Sequence, residues 1–310
     1  MILTVTANPL LDRMLEIDAP AWGRVHRAEQ VYELAGGKGV NASRAVARLG
    51  YRTTATGFLG GYTGRRILEL LAREAIPSDF VEIASQTRSG VTLKNTRVLL
   101  TAFYDPPHQL RLGDLGRFID KFMILLQRAR FCIIAGSMPG AEFSDFYRDL
   151  IQRSRHAGVP VLLDTYGDPL RLGAAAAPDV VKINRHEAAA AFGFRADDET
   201  ELLQWMDAQH QLGSRLVVVT HGGEPGWARH SSGFYRIAPP SIRLVNALGC
   251  GDCVAAGIAV GWSEGWPLEH LLAFAFAAGS ANAEIWDPAM IERSRVQELT
   301  RAVRIEPRSP

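Results

Sequence analysis

With 310 residues, 47% of them hydrophobic and 22% charged, the chain has the balance of a globular protein and too much apolar surface for a disordered or fibrous one. Lys and Arg total 34 against 33 Asp and Glu, a formal charge of +1 that argues against nucleic acid as the main partner, because phosphate backbones need strongly basic surfaces. No apolar run approaches the roughly 20 residues that cross a bilayer, and three cysteines make no disulfide scaffold, so a cytoplasmic protein without a membrane partner is expected.

In chain order, Met1-Ile-Leu-Thr-Val-Thr-Ala7 has no basic leader and reads as a first strand over 2–7. Residues 15–34 read as short alternating strands with no helix between them. Ala42, Ala45, Val46 and Leu49 fall at helical spacing, and Gly50 stops that helix. Ile67, Leu71 and Ala75 repeat the pattern ahead of Pro77. Residues 91–104 alternate again, and with 15–34 they predict a small antiparallel sheet beside the main body. Four continuous apolar runs follow, at 131–135, 160–164, 180–184 and 216–220, as expected of strands buried on both faces. Residues 253–262 and the alanine-rich 268–285 read as helices, the second mostly apolar and therefore internal. The Pro-containing tail, 304–310, is expected to fray. Strands alternating with helices predict an α/β protein built on a mainly parallel sheet.

Asn246-Ala-Leu-Gly-Cys-Gly-Asp252 carries the strongest chemical signal. Gly249 and Gly251 permit backbone conformations closed to other residues, and a helix begins at once, with outward N–H groups and a dipole that attract an anion. Asp252 in that first turn could take a proton from an attacking hydroxyl while the amides hold phosphoryl charge. The purely structural alternative is an ordinary helix cap. Ala35-Gly-Gly-Lys-Gly-Val-Asn41 is a second glycine turn into a helix, without P-loop or G-x-G-x-x-G spacing; Lys38 and Asn41 offer donors to a small polar ligand, unless the motif is only a tight turn. Gly57-Phe-Leu-Gly-Gly-Tyr-Thr-Gly64 is a third such cluster. Asn184 and Glu187 could reach a hydrated Mg²⁺ held mainly by phosphates, or form a cap with a glutamate reaching back. His186-Glu187 does not extend to a zinc-protease motif, because Ala190 stands where the second histidine belongs. Cys250 and Cys253 match C-x-x-C, yet a redox pair needs exposure and zinc needs further ligands, with Cys132 far away; the glycines and the aspartate explain the motif better.

These motifs together resemble the phosphofructokinase-B, or ribokinase-like, family of sugar kinases over nearly the whole chain. Gly249-Cys-Gly-Asp252 matches the family's G-A-G-D anion hole and catalytic aspartate, with Cys250 in the alanine place. Gly36-Gly-Lys-Gly-Val-Asn41 matches its N-terminal glycine motif, Asn184-x-x-Glu187 its N-x-x-E motif, and Thr220-His-Gly-Gly-Glu224 a strand and turn against the nucleotide. Thr4-Val-Thr-Ala-Asn-Pro-Leu-Leu-Asp-Arg13 is similar to the opening of the 1-phosphofructokinase and tagatose-6-phosphate kinase subgroup. The resemblance implies a three-layer α/β/α sandwich in one unit over 1–310, with a lid from about 15–34 and 91–104. A sheet that small cannot bury both faces alone, so a homodimer through the lids is expected. The resemblance also implies ATP as phosphate donor, with Mg²⁺ held by the ATP phosphates and reached through water by Asn184 and Glu187. Thr220, Gly222 and Gly223 would face the nucleotide. Gly36, Gly37, Lys38 and Asn41 would line the sugar site, Asp12 would bind sugar hydroxyls, and Arg88, helped by Lys38 and Arg24, would take a phosphate already on the substrate. The expected reaction is phosphorylation of fructose 1-phosphate, fructose 6-phosphate or tagatose 6-phosphate, with Asp252 as general base.

Two stretches depart from the subgroup pattern. Phe103-Tyr-Asp-Pro-Pro-His108 replaces its usual lid sequence, and Gly136-Ser-Met-Pro-Gly140 varies its G-S-L-P-x-G turn. Three competing readings remain at this level. A ribokinase- or nucleoside-kinase-like enzyme would act on an unphosphorylated substrate, but would leave the charges of Arg88 and Lys38 unpaired. A non-catalytic sugar-phosphate sensor has no need of an intact Asp252, Gly249 and Gly251. An NAD-dependent oxidoreductase needs a G-x-G-x-x-G after the first strand, which is missing.

Overall fold

The computed structural model describes residues 1–18, 20–94 and 101–308. The N-terminal part runs β1 (Ile2–Thr6), β2 (Leu10–Glu16), β3 (Gln30–Gly36), α1 (Lys38–Arg48), β4 (Thr53–Leu59), α2 (Gly61–Arg73), β5 (Val81–Glu82), β6 (Ser89–Lys94) and β7 (Thr101–Tyr104). The middle runs α3 (Leu112–Leu126), β8 (Phe131–Ala135), α4 (Phe146–His156), β9 (Val161–Asp164), α5 (Gly167–Ala174), β10 (Val180–Asn184), α6 (Arg185–Phe192) and α7 (Glu199–Gln211). The last part runs β11 (Leu216–His221), β12 (Glu224–His230), β13 (Gly233–Ala238), α8 (Cys250–Ser263), α9 (Leu268–Ala283), α10 (Arg293–Thr300) and β14 (Arg304–Arg308).

Ten strands form one sheet, in the order β14-β13-β12-β11-β10-β9-β8-β1-β4-β5. From β5 to β11 every pairing is parallel, and β12, β13 and β14 extend that sheet antiparallel. Successive strand residues face opposite sides. Ile2, Phe131 and Ile133 therefore enter one apolar cluster, with Ala42 and Val46 of α1 and the faces of α8, α9 and α10. Leu3, Val5, Cys132 and Ile134 enter the other, with Phe118 of α3, Tyr147 of α4 and Trp205 of α7. The result is the expected three-layer α/β/α sandwich. Ligands of such sheets gather at the carboxyl ends of the parallel strands, which is where the glycine turns and charged motifs of this chain lie.

A second sheet of four strands, in the order β3-β2-β6-β7, stands beside the first. Its outer pairings are antiparallel as expected, but the central pair, β2 with β6, is parallel. Its first strand begins at Leu10 rather than near residue 15, so Asp12 lies within this sheet. Helix α2 underpins it, with Ile67 and Leu71 packed against Leu11 and Ala35. Residues 19 and 95–100, within the segments expected to form the lid, lie outside the described residues.

Two expectations fail at chain ends and helix ends. The tail is not frayed over 304–308: it forms β14, pairing from Phe234 opposite Arg308 to Ala238 opposite Arg304. An edge strand of exposed residues has no apolar signal of its own, because its partner backbone holds it. Helix α2 stops at Arg73, and Ala75, read as its last apolar position, sits beyond it at φ 55°. Among the described residues, no helix is long and apolar enough to cross a membrane.

Candidate functional site

Helix α8 begins where Gly249 serves as its N-cap at φ 83°, a left-handed conformation that favours glycine. A side chain there would also run into Pro288, since a Cβ would stand 2.9 Å from its Cβ. Gly251 is held small by a different neighbour: a Cβ would lie 2.6 Å from Lys182 Nζ. The glycine turn thus brings a buried ammonium against the start of a helix, and both features favour an anion.

Asp252 is buried in the first turn of α8. Burial, reinforced by the negative charge of Asp164, pushes its carboxyl up to about 6, against the opposing pull of Lys38, Asn41 and Lys182. Asn41 Nδ2 donates to Asp252 Oδ2 at 2.8 Å. Arg44 sets the orientation of that amide: its Nη1 donates to Asn41 Oδ1 at 3.0 Å, so the NH₂ end must face the carboxylate. Arg44 is itself fully buried, anchored on Glu74 and on the Ala35 carbonyl at 2.7 Å.

Beside Asp252 runs a ladder of charge from β9 and β10 to the starts of α1 and α6. Lys182 Nζ of β10 donates to Asp164 Oδ2 at 2.7 Å, and Lys38 Nζ donates to Asp164 Oδ1 at 2.8 Å and to Glu187 Oε1 at 3.3 Å. Burial opposes the Asp164 charge, but Lys182 and Lys38 outweigh it and hold that carboxyl below its usual range. Burial likewise opposes the Lys38 ammonium, yet Asp164, Glu187 and Asp252 raise its pKa above the usual value. Lys38, expected to serve a substrate phosphate, is therefore already paired with carboxylates. Asn184 and Glu187 form the reciprocal cap of α6: Asn184 Oδ1 accepts from Glu187 N at 2.8 Å, and Glu187 Oε2 accepts from Asn184 N at 3.4 Å.

Toward the small sheet the partners thin out. Both Asp12 oxygens accept from Thr92 Oγ1, at 2.9 Å each, and burial raises the Asp12 pKa against that hydrogen bond. Arg88 is half-buried, and no carboxylate among the described residues forms an ion pair with it. Its Nη2 donates to the Asn8 carbonyl at 3.1 Å, its guanidinium lies 5.8 Å from the Tyr104 ring centre, and its Nε is buried without a partner. Gly36 ends β3 and Gly37 caps α1, so both stand at the junction of the two sheets. Arg24 does not join them: it is exposed in the β2–β3 connection, with no hydrogen bond or ion pair among the described residues.

Thr220 lies near the end of β11, with Gly222 and Gly223 in the turn to β12, and a Cβ on either glycine would meet nothing within 4 Å. The two cysteines of the C-x-x-C spacing are free thiols. Burial pushes Cys250 up to about 11 and Cys253 well above its usual value, the opposite of a reactive thiolate. Asn282 Nδ2 donates to Cys250 Sγ at 3.2 Å and to the Leu248 carbonyl at 2.8 Å, which ties the turn to α9. Lys182, Asp164 and Arg44 are the site residues that sequence reasoning missed. Lys182 had a legible signal, a lone cation in the apolar run 180–183; the others had none that distinguishes them from a surface charge or a turn.

A model of the family described as pfkB family carbohydrate kinase matches residues 6–284. The tagatose-6-phosphate kinase of Staphylococcus epidermidis is 28% identical over 308 residues, covering 98% of this chain and 99% of that protein. Among solved structures, the phosphofructokinase-2 from Escherichia coli in complex with fructose-6-phosphate superposes with a TM-score of 0.89 at 23% identity, over 97% of this chain and 98% of that one. Ribokinase from Arabidopsis thaliana, complexed with ribose and ATP, superposes with a TM-score of 0.77 at 22% identity, over 96% and 98%. At those identities the two structures speak for a ribokinase-like fold.

Proposed function

The chain belongs to the pfkB family of carbohydrate kinases, and on that premise we propose that it transfers the γ-phosphoryl group of ATP to a hydroxyl of a phosphorylated ketohexose: fructose 1-phosphate, fructose 6-phosphate or tagatose 6-phosphate. One observation carries the choice of a charged sugar: Arg88 is a half-buried guanidinium with no ion pair among the described residues, Asp105 acting on it only at longer range while its carboxylate accepts from Ser89. A neutral sugar would leave that charge desolvated and unpaired, whereas its fork suits two phosphate oxygens. The similarity to a tagatose-6-phosphate kinase over almost the full chain agrees with this reading.

In this mechanism Asp252 accepts the proton of the acceptor hydroxyl as its oxygen bonds to the γ-phosphorus and the bond to the ADP oxygen breaks. The raised pKa of Asp252 makes the carboxylate a stronger base than an ordinary aspartate while it is still ionised at neutral pH. The Gly249–Gly251 turn, the start of α8 and Lys182 face the developing phosphoryl charge; Cys250 contributes its backbone there. Asp12 holds sugar hydroxyls near the Gly36–Gly37 backbone, and Asn41 fixes the Asp252 carboxylate rather than the sugar. The open turn with Thr220, Gly222 and Gly223 takes the nucleotide. Mg²⁺ keeps several waters and takes one or two carboxylates beside substrate phosphates, and the Glu187 carboxylate next to Asn184 and Lys38 fits that role. Glu187 and Asn184 would hold that hydrated ion through water, and it would neutralise phosphate charge.

Trp22 and Val25 of the β2–β3 connection are 90% and 91% exposed, and Val31 and Phe103 of the small sheet are exposed as well. An isolated small sheet is marginal in water, so we propose that it closes over the sugar as a lid and pairs with a second copy in a homodimer. Unpaired thiols fit work in the cytoplasm, where they stay reduced. The test is ATP consumption with the three ketohexose phosphates against fructose, ribose and adenosine. Turnover should be confined to the phosphates, and a preference for a neutral sugar would replace this reading with a ribokinase-like one. Light scattering should give a dimer at micromolar concentration; an active monomer removes the dimer.

A further inference from the structure

The carboxyl end of β1 gathers more unpaired polar atoms than the kinase reading uses. His108, between β7 and α3 in the segment that departs from the subgroup pattern, is only 4% exposed, and beyond the Ala7 backbone its ring nitrogens have no partner among the described residues. Asn8 Oδ1 and Arg88 Nε are buried and unpartnered as well. These groups adjoin each other. Arg88 reaches the Asn8 carbonyl, Asn8 Nδ2 donates to Ser137 Oγ at 3.0 Å, and the segment that carries His108 lies alongside that of Arg88, with Asp105 N donating to the Ser89 carbonyl at 2.9 Å and Gln109 N to Ser85 Oγ at 3.1 Å. Buried polar groups are almost always paired, so three on neighbouring segments mark a place that a ligand completes. A guanidinium, a hydroxyl and an imidazole suit a tetrahedral dianion.

We propose that His108 is a positioning residue for the phosphate the sugar already carries: neutral in the free enzyme, it takes a proton from solvent when that phosphate docks on Arg88. The proposal rests on the reading that the substrate is a sugar phosphate. In the free protein, burial and then the Arg88 charge push the imidazole down to about 4, against the Ala7 backbone and the Asp114 carboxylate. Asp114 is a weak counterweight, because its oxygens already accept from Arg111 N at 2.8 Å and Arg117 Nη2 at 2.6 Å. The other titratable groups around this corner are Tyr104 and Asp105 of the β7 end, Tyr147 of α4 and Tyr166, all near Arg88 or the Ala7 backbone. A dianion on Arg88 more than cancels the guanidinium charge, so the second-largest force against the imidazolium reverses sign. The added proton then meets the second phosphate charge, which one arginine leaves unanswered.

The experiment uses the intact enzyme with fructose 1-phosphate, fructose 6-phosphate and tagatose 6-phosphate as probes. Above pH 7 a phosphate monoester is a dianion, its second pKa being about 6, so a change of KM there belongs to the protein. Wild type should show KM for its best sugar phosphate rising about tenfold from pH 7 to 9 at level kcat. Binding heats in two buffers of different ionisation enthalpy should report uptake of about one proton at pH 7. His108→Gln should remove the uptake and flatten the KM profile. A sugar phosphate that wild type turns over with a flat KM and no proton uptake overturns the role of His108 alone, whether or not the variant folds. Turnover of neutral sugars only overturns the substrate reading and the His108 role with it.

Discussion

At the carboxyl ends of β9 and β10 every buried charge is answered: Asp164 lies between Lys182 and Lys38, Lys38 also meets Glu187, and Asp252 meets Asn41. A few residues away, where β1 meets the small sheet, Arg88 Nε and Asn8 Oδ1 have no partner among the described residues, and the buried His108 ring has only the Ala7 backbone. The first region is organised before any ligand arrives, as electrostatic support of a transition state requires. The second is organised for a ligand. Its unpaired groups raise the energy of the free state and return it on binding, so they govern affinity rather than the chemical step.

That contrast breaks most sharply at Asp252. Asp252→Asn keeps the shape but cannot accept a proton, so kcat should fall by about 10²–10⁴-fold with little change in KM; near-normal turnover would show that the base is elsewhere. In wild type, kcat/KM should fall about tenfold per pH unit below pH 6, as Asp252 protonates. The stability sign runs the other way. Asp252 has a folded pKa of about 6 against roughly 3.9 unfolded, so the native state holds the proton between those values and loses stability as pH rises through them. The Asn variant should therefore unfold at no lower temperature than wild type at pH 7.5, and calorimetry checks this.

Lys182→Met should act on both stability and rate, since it strips Asp164 of its most buried partner. Breaking a buried pair costs about 3–5 kcal/mol, and the lower end applies because Lys38 remains. Denaturant titration should show the loss, and the Lys182→Met/Asp164→Asn double variant should cost less than the sum of the two changes. Additive losses would mean that the pair does not act as one unit.

On the ligand-facing side the effects should be smaller and shift to KM. Arg88→Ala should raise KM for the sugar phosphate by about 10- to 100-fold, or about 1.4–2.8 kcal/mol, and lower kcat less. Equal losses in kcat would place Arg88 in the paired region after all. The smallest effect is expected at the thiols: a Cys250→Ala/Cys253→Ala double variant should stay active without redox dependence, in assays with and without reductant. Oxidants should slow wild type if they force a disulfide into the turn before Asp252, and should not slow the double variant.

Local residue chemistry was legible along the chain. The runs at 131–135 and 180–184 are strands because their mostly apolar residues suit burial on both faces, and Gly50 ends α1 as a left-handed residue should. The Gly249–Asp252 turn could be read because few other chemistries need two glycines before a carboxylate at a helix start. The strand Arg304–Arg308, the parallel pairing of β2 with β6, and the location of Asp12 within the small sheet could not be read. Each is decided by which backbone comes alongside, and a half-polar segment of four to seven residues carries no record of its partner. The same holds within the site. Sequence alone marked Lys38, Asn41 and Glu187 as polar residues in glycine turns and caps, but only the tertiary structure set Lys38 on Asp164 and Asn41 on Asp252. Partners 126 and 211 residues away determine what those side chains are free to bind, because pairing energy depends on distance in space and on burial, neither of which the order of residues specifies.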